Sequence, residues 1–293
     1  MRDEEIMWTM MNEKACWKDI IAFGGAIMAF VIGAGFATGW EVMQFFTHLG
    51  LWRSLGAGAV AMVVFAWFGA TLLKDGRRLQ LADPNMIFAH YCGKWIGLFF
   101  EWFVPALLFL VVSIMLSGAG ATVSKYYGAD ANIGRIGMAI ATLLTVLLGL
   151  KKLVHIIGAI GPVIITFTIC MGLTSIVVYD KQVPSLAIAA SILPFVASVF
   201  AVMLLAAMYT TAVPMLWTAC NRITSDENSK KYKIGALLMI IISCFGGQLK
   251  FGTMVGTVYP ATGYMGLLLI AGMIYTKYLR KSREEHQPGG CYV

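Results

Sequence analysis

Apolar residues follow one another here in runs of 18 or more, and that single feature leaves few folds open. A helix of about 20 residues spans the roughly 30 Å of hydrocarbon in a bilayer. In that medium each backbone N–H and C=O must be paired within the protein, so only helices and closed barrels cross it. A barrel needs strands that alternate apolar and polar residues, and the runs show no such alternation. Composition agrees: 59% of the residues are hydrophobic and 13% charged, against about a quarter charged in soluble domains. The expected class is all-α, a polytopic integral membrane protein.

Eight segments are expected to cross: 20–49, 53–73, 96–124, 133–150, 153–179, 187–219, 234–249 and 252–276. They form one transmembrane domain, 20–276, between an N-terminal segment, 1–19, and a charged tail, 277–293. Placing the N-terminus inside assigns 17 of the 22 Lys and Arg to inner segments and five to outer ones. That is the asymmetry of the positive-inside rule. It predicts a multi-pass protein of the cell membrane with both termini in the cytoplasm. Between the second and third spans, Asp83-Pro84 reads as a helix start, and 84–91 as a short helix on the inner surface. The stretch RITSDENSKKYK (222–233) reads as a plain polar connector.

Several functions are excluded. The net charge of +7 arises from basic residues between apolar runs, not from a basic stripe with interleaved aromatics, so nucleic acid is not an expected partner. The lipid bilayer is. The six cysteines are scattered without a CxxC pair, which suggests neither a disulfide framework nor a zinc site. The N-terminus lacks the apolar core and cleavage site of a signal peptide. HExxH, GxSxG and GxxxxGK[ST] are absent, so no enzyme is expected. His48, His90 and His286 are isolated, and Glu101 and His155 fall near the inner ends of their spans. No helix carries the charged ring of a channel filter.

The first run contains VIGAGFATGWEVMQFF at 31–46. Thirty residues of straight helix would measure roughly 45 Å, so the segment must tilt, protrude or break. Gly33, Ala34 and Gly35 lie near its midpoint, and each glycine costs about 1 kcal/mol of helix stability relative to alanine. Unwound backbone at that depth survives only where it is buried or lines a wet cavity, and it offers carbonyls to a cation and a half-helix N-terminus to an anion. The competing reading is close packing, since Gly35 to Gly39 is a GxxxG match. Glu41 has two readings as well: a cavity-facing group that exchanges a proton or holds a substrate amine, or a solvated residue near the outer end of the helix.

A second constellation is AMYTTAVP at 207–214. Pro214 withholds the N–H that would normally reach the carbonyl of Thr210, and two hydroxyls lie within the same turn. This oxygen-rich spot suits a hard cation; alternatively each threonine bonds back to a carbonyl one turn earlier. The third span carries Ser113, Ser117 and Gly118 on overlapping faces, small residues that suit close packing. Phe36, Trp40 and Tyr259 are aromatics that could gate a cavity.

VIGAGFATGWEVMQFF resembles the first-helix signature of the YkvI-like family of bacterial membrane proteins, within the amino acid–polyamine–cation superfamily. AMYTTAV (207–213) and VGTVYPATGYMGL (255–267) extend the resemblance over most of the chain. It implies a leucine-transporter-type fold, in which two inverted five-helix repeats place broken first and sixth helices around a central site. It also implies a transporter of a small polar solute, an amino acid being one candidate, driven by sodium or protons. The substrate positions implied are Gly33, Ala34, Gly35, Phe36, Glu41 and Ser117. The sodium ligands implied are Ala207, Thr210 and Thr211, with the carbonyls of Ala29 and Ile32. No other cofactor is expected.

The chain departs from that pattern in one respect. The fold needs ten core helices and eight are read, with nothing equivalent to GAGFATG in the second repeat; the sixth and seventh helices are missing. Half of the rocking bundle would then be absent. Either a second copy, as a homo-oligomer, or another subunit supplies the wall, or the chain is a degenerate relative that serves as a membrane interaction protein without transport.

Overall fold

The computed structural model describes residues 51–79, 86–149, 194–224 and 226–280, with isolated positions within 24–27 and 157–169. The described residues form helices and the turns between them: α1 (Leu51–Leu79), α2 (Met86–Tyr127), α3 (Ala131–Leu147), α4 (Pro194–Asn221), α5 (Lys230–Gly246) and α6 (Phe251–Ile274), the last continuing into a π-helical turn, Tyr275–Arg280. Helices thus occupy six of the eight segments expected to cross. Four are long and apolar enough to span a bilayer: Trp52–Leu79, Met86–Tyr127, Ser198–Asn221 and Phe251–Lys277. The segments 20–49 and 153–179 lie largely outside the described residues, as do 1–19, 180–193 and 281–293.

The bundle is organised on α2, which packs against α3, α4, α5 and α6. Every residue from Val111 to Gly120 is buried, so this part of α2 is enclosed on all sides. Around it lie Val146 of α3, Met208, Ala212 and Val213 of α4, Ala236 and Ile240 of α5, and Val255 of α6. Glycine sets the approach of α3. A Cβ on Gly120 would stand 2.7 Å from the carbonyl oxygen of Ala131, and one on Gly134 2.6 Å from that of Ala119. Small residues at such positions let backbones meet, and dispersion across the contact replaces the hydrophobic drive that lipid cannot supply.

Helix ends follow local chemistry. Asp130 opens α3 by accepting a hydrogen bond from the backbone N–H of Asn132 at 2.8 Å. Ser229 opens α5 by accepting from the N–H of Tyr232 at 3.1 Å. That cap starts α5 at Lys230 and shortens the expected connector, because a serine hydroxyl satisfies one of the orphan donors of the first turn.

The helix expected over 84–91 is present from Met86, but it is not a separate surface element. At Gly93 (φ 77, ψ 175) the chain turns sharply and α2 resumes. Phe88 and Phe100 would lie roughly 18 Å apart along a straight helix; their ring centroids are 5.9 Å apart. The segment before Gly93 therefore folds back on the segment after it. Gly97 permits this, since a Cβ there would come within 2.4 Å of the Cα of Ala89.

Candidate functional site

Two glycine- and hydroxyl-rich places were expected to carry chemistry, and the structure describes one of them. Gly33, Ala34, Gly35, Phe36 and Glu41, with Ala29 and Ile32, lie outside the described residues. Ala207, Thr210, Thr211 and Ser117 are within them.

Helix α4 is the most enclosed of the four spanning helices, with 56% of its most apolar window buried against 6% for α1. Its core-facing stripe includes Ala207, Thr210 and Thr211, which are 0%, 0% and 2% exposed. The hydroxyls of Thr210 and Thr211 both donate to the carbonyl oxygen of Ala207, each at 3.0 Å. Three oxygens thus converge within one turn, ahead of Pro214. Hydroxyl and carbonyl oxygens with no carboxylate among them suit a hard cation of low charge; the usual calcium cage draws on several carboxylates. No group of three or more His, Cys, Asp or Glu capable of holding a metal occurs among the described residues.

Further hydroxyls lie on the neighbouring helices. Thr145 of α3 donates to the carbonyl of Ala141 at 3.0 Å and pairs with the Tyr209 hydroxyl at 2.5 Å, which ties α3 to α4 beside the threonine turn. Thr142 and Ser243 are fully buried, and their hydroxyls have no hydrogen-bond partner among the described residues. An unmet hydroxyl in a protein interior costs about 1–3 kcal/mol. Among the described residues, the bundle thus encloses hydroxyls that no neighbouring helix satisfies.

Ser117 is 6% exposed, and its hydroxyl donates to the carbonyl of Leu249 at 2.6 Å, which fastens the α5–α6 turn to α2. Its neighbour Gly118 faces Met208 and Phe251. Both residues thus lie in close contact with neighbouring elements. Glu101 pairs with Arg222 at 3.2 Å, and that guanidinium lies 4.5 Å from the ring centroid of Trp102. His90 stacks edge-on against Tyr91.

Two clusters were not foreseen. Glu227, within the supposed plain connector, accepts from Trp217 Nε1 at 2.7 Å, and a Cβ on Gly149 would stand 2.6 Å from its other carboxylate oxygen. The connector therefore seals the ends of α3 and α4. At the end of α2 near Gly93, the Tyr91 hydroxyl donates to Asp75 of α1, and Thr276 of the π turn donates to the Tyr91 carbonyl at 2.9 Å. These residues are far apart in sequence and belong to no motif, so no spacing signals them.

The comparisons agree with the membrane assignment. "Uncharacterized membrane protein YkvI" of Bacillus subtilis (strain 168) is 28% identical over 152 residues, which cover 52% of this chain and 44% of YkvI. The chain is homologous to YkvI. "Uncharacterized protein YyaD" of the same organism is 27% identical over 101 residues, 34% of this chain and 28% of YyaD. The matched segments span less than half the length of either relative. No family profile and no solved structure matches the chain.

Proposed function

We propose that the protein is a secondary carrier of a small polar solute, coupled to sodium, with a leucine-transporter-type arrangement in the cell membrane and both termini in the cytoplasm. What supports this reading is the placement of three oxygens, from Ala207, Thr210 and Thr211, in one buried turn of a membrane helix ahead of Pro214. Thr210 and Thr211 supply one half of a cation site, and the carbonyls of Ala29 and Ile32 supply the other. On this reading the glycines at 33 and 35 would be where the first span opens for the solute. Homology to a membrane protein and the unmet hydroxyls of Thr142 and Ser243 are consistent with a polar guest inside the bundle.

The test is sodium-specific stabilisation of the purified protein. At sodium a hundredfold above its dissociation constant, binding adds about 2.7 kcal/mol to the folded state. The melting midpoint should rise in sodium relative to potassium at equal ionic strength, and the rise should vanish in Thr210→Val with Thr211→Val. Equal midpoints in the two salts would remove the sodium site. Glu41 would then be the coupling group to examine, by proton-driven uptake in Glu41→Gln.

A second reading is a degenerate relative that no longer transports. It is favoured by the back-bonds, because both threonines already have an acceptor. It predicts identical melting with and without sodium at every pH.

A further inference from the structure

Between α2 and α6 lies a groove of about 390 Å³ with one wall from each helix and Met215 of α4 at its base. Its sides are apolar: Phe100, Leu107 and Val111 on α2, Tyr259, Gly266 and Leu269 on α6. The one threonine along it, Thr262, directs its hydroxyl proton to the Tyr259 carbonyl at 2.6 Å and so offers a guest no donor. A volume of this size accommodates a small-molecule ligand, and the lining selects a hydrocarbon one.

Two further observations name that hydrocarbon. The first is length. Phe100 to Val111 is 11 residue steps, roughly 16 Å of helix, and half of a bilayer's hydrocarbon is about 15 Å. The groove is as long as one leaflet is deep. The second is what stands at one end. Phe103 is shared with an open aromatic surface formed by Trp95, Leu98, Phe99 and Trp102. Trp95 is 83% exposed and Trp102 61%, and Trp102 carries the Arg222 guanidinium on its face. Exposed tryptophans beside a cation mark the headgroup level of a membrane protein. From that level the groove leads along α2 toward the middle of the helix pair.

We infer that the groove between α2 and α6 holds one acyl chain of a bilayer phospholipid, whose glycerol end lies at the Trp95–Trp102 surface. The chain replaces the side-chain contacts that the two helices cannot make across the gap, and so joins α6 to the core as a prosthetic hydrophobe. This inference stands on the groove alone and is independent of the sodium site.

Gly266 provides the test, because a Cβ there meets nothing within 4 Å. A larger side chain enters the groove without disturbing the helices. The full chain, purified in detergent and exchanged with dioleoyl-phosphatidylglycerol, should retain one lipid in native mass spectrometry, and Gly266→Leu should retain none while melting at the same midpoint. Leu107→Trp closes the groove from the opposite wall and should behave alike, which covers a fold defect in either variant. Dihexanoyl-phosphatidylglycerol carries the same headgroup on chains too short to fill the groove, and should not be retained. Equal retention by wild type and both variants would overturn the inference, as would equal retention of the short-chain lipid. A shift in the monomer–dimer ratio of the variants without lipid loss would assign the groove to a second copy and overturn it too.

Discussion

The reversal at Gly93 makes a quantitative demand on two glycines four residues apart. Gly93 sits at φ 77 and ψ 175, a region open essentially to glycine, and any other residue held there costs about 1–3 kcal/mol. Gly97 is limited by space instead. Its hypothetical Cβ would lie 2.4 Å from the Cα and 2.7 Å from the N of Ala89, atoms of backbone that cannot swing aside. Overpacking of that kind costs about 1–3 kcal/mol, reduced by up to about 1 kcal/mol because alanine is the better helix former. Gly93→Ala should lower stability by about 1–3 kcal/mol, and Gly97→Ala by up to about 3 kcal/mol after the propensity gain is subtracted.

The two losses should not add. Once Gly93→Ala straightens the turn, Ala89 no longer abuts position 97, and the second methyl meets nothing. Residues serving one feature couple by about 0.5–3 kcal/mol, so the double variant should melt close to the worse single one. Gly76→Ala is the control: it lies exposed in α1 with nothing within 4 Å of a Cβ, and should be neutral or stabilising by up to about 1 kcal/mol. Thermal unfolding of the four variants in one detergent, at one protein concentration, gives the ranking. If Gly97→Ala melts with Gly76→Ala, or if the two hinge losses add, the fold-back is not what those glycines serve.

Three further outcomes follow from the same geometry. Ser229→Ala should destabilise by about 0.5–2 kcal/mol through loss of the cap on Tyr232, with Ser229→Asp restoring it, measured as melting midpoints. Gly149→Ala should cost about 1–3 kcal/mol, because φ is +87 and the methyl would meet the Glu227 carboxylate; Glu227→Ala should relieve the steric part while exposing the loss of the Trp217 bond. Thr210→Val with Thr211→Val should lower stability in potassium by about 1–3 kcal/mol, the worth of two back-bonds, and abolish the additional rise in sodium.

Much of the helical layout was legible because apolar length is a property of composition along the chain. α1, α4 and α6 contain or overlap segments marked by apolar length, and α3 occupies nearly the expected place. What the sequence does not disclose is which side of each helix is inside. In water the inner face is apolar and the outer polar; in lipid both are apolar, so the stripe from Val111 to Gly120 reads the same as the outward-facing Ile133, Ile136 and Ile140. The fold-back was hidden for a related reason. Glycine is frequent in membrane helices, and nothing local separates Gly93, which reverses the chain, from Gly58, which a Cβ would not disturb. The Asp75–Tyr91–Thr276 cluster depends on that reversal and was invisible with it. Ser229, by contrast, could have been read: a serine immediately before KKYK and an apolar run is a start signal, obscured by the polar residues around it.

The threonine turn shows why a structural and a functional reading of the same residues need not compete. A hydroxyl has one proton and two lone pairs. With its proton directed at Ala207, each threonine hydroxyl has its orientation set by the back-bond. The Ala207 carbonyl is in the opposite position: it already receives both hydroxyls. A cation arriving at this turn therefore meets oriented threonine oxygens before it meets a carbonyl, and reaching Ala207 requires at least one hydroxyl to turn away. On the sodium-coupled reading proposed above, the back-bonds would be the resting state of a ligand set, held in place by two hydrogen bonds of about 1 kcal/mol each that an arriving ion would have to displace. Replacement by serine separates the two roles. Serine keeps the oxygen and the back-bond but loses the methyl that fixes the rotamer, so Thr211→Ser should leave sodium-dependent stabilisation in place at a weaker affinity, whereas valine removes it. A turn that only back-bonds would make no distinction between sodium and potassium in any of these proteins.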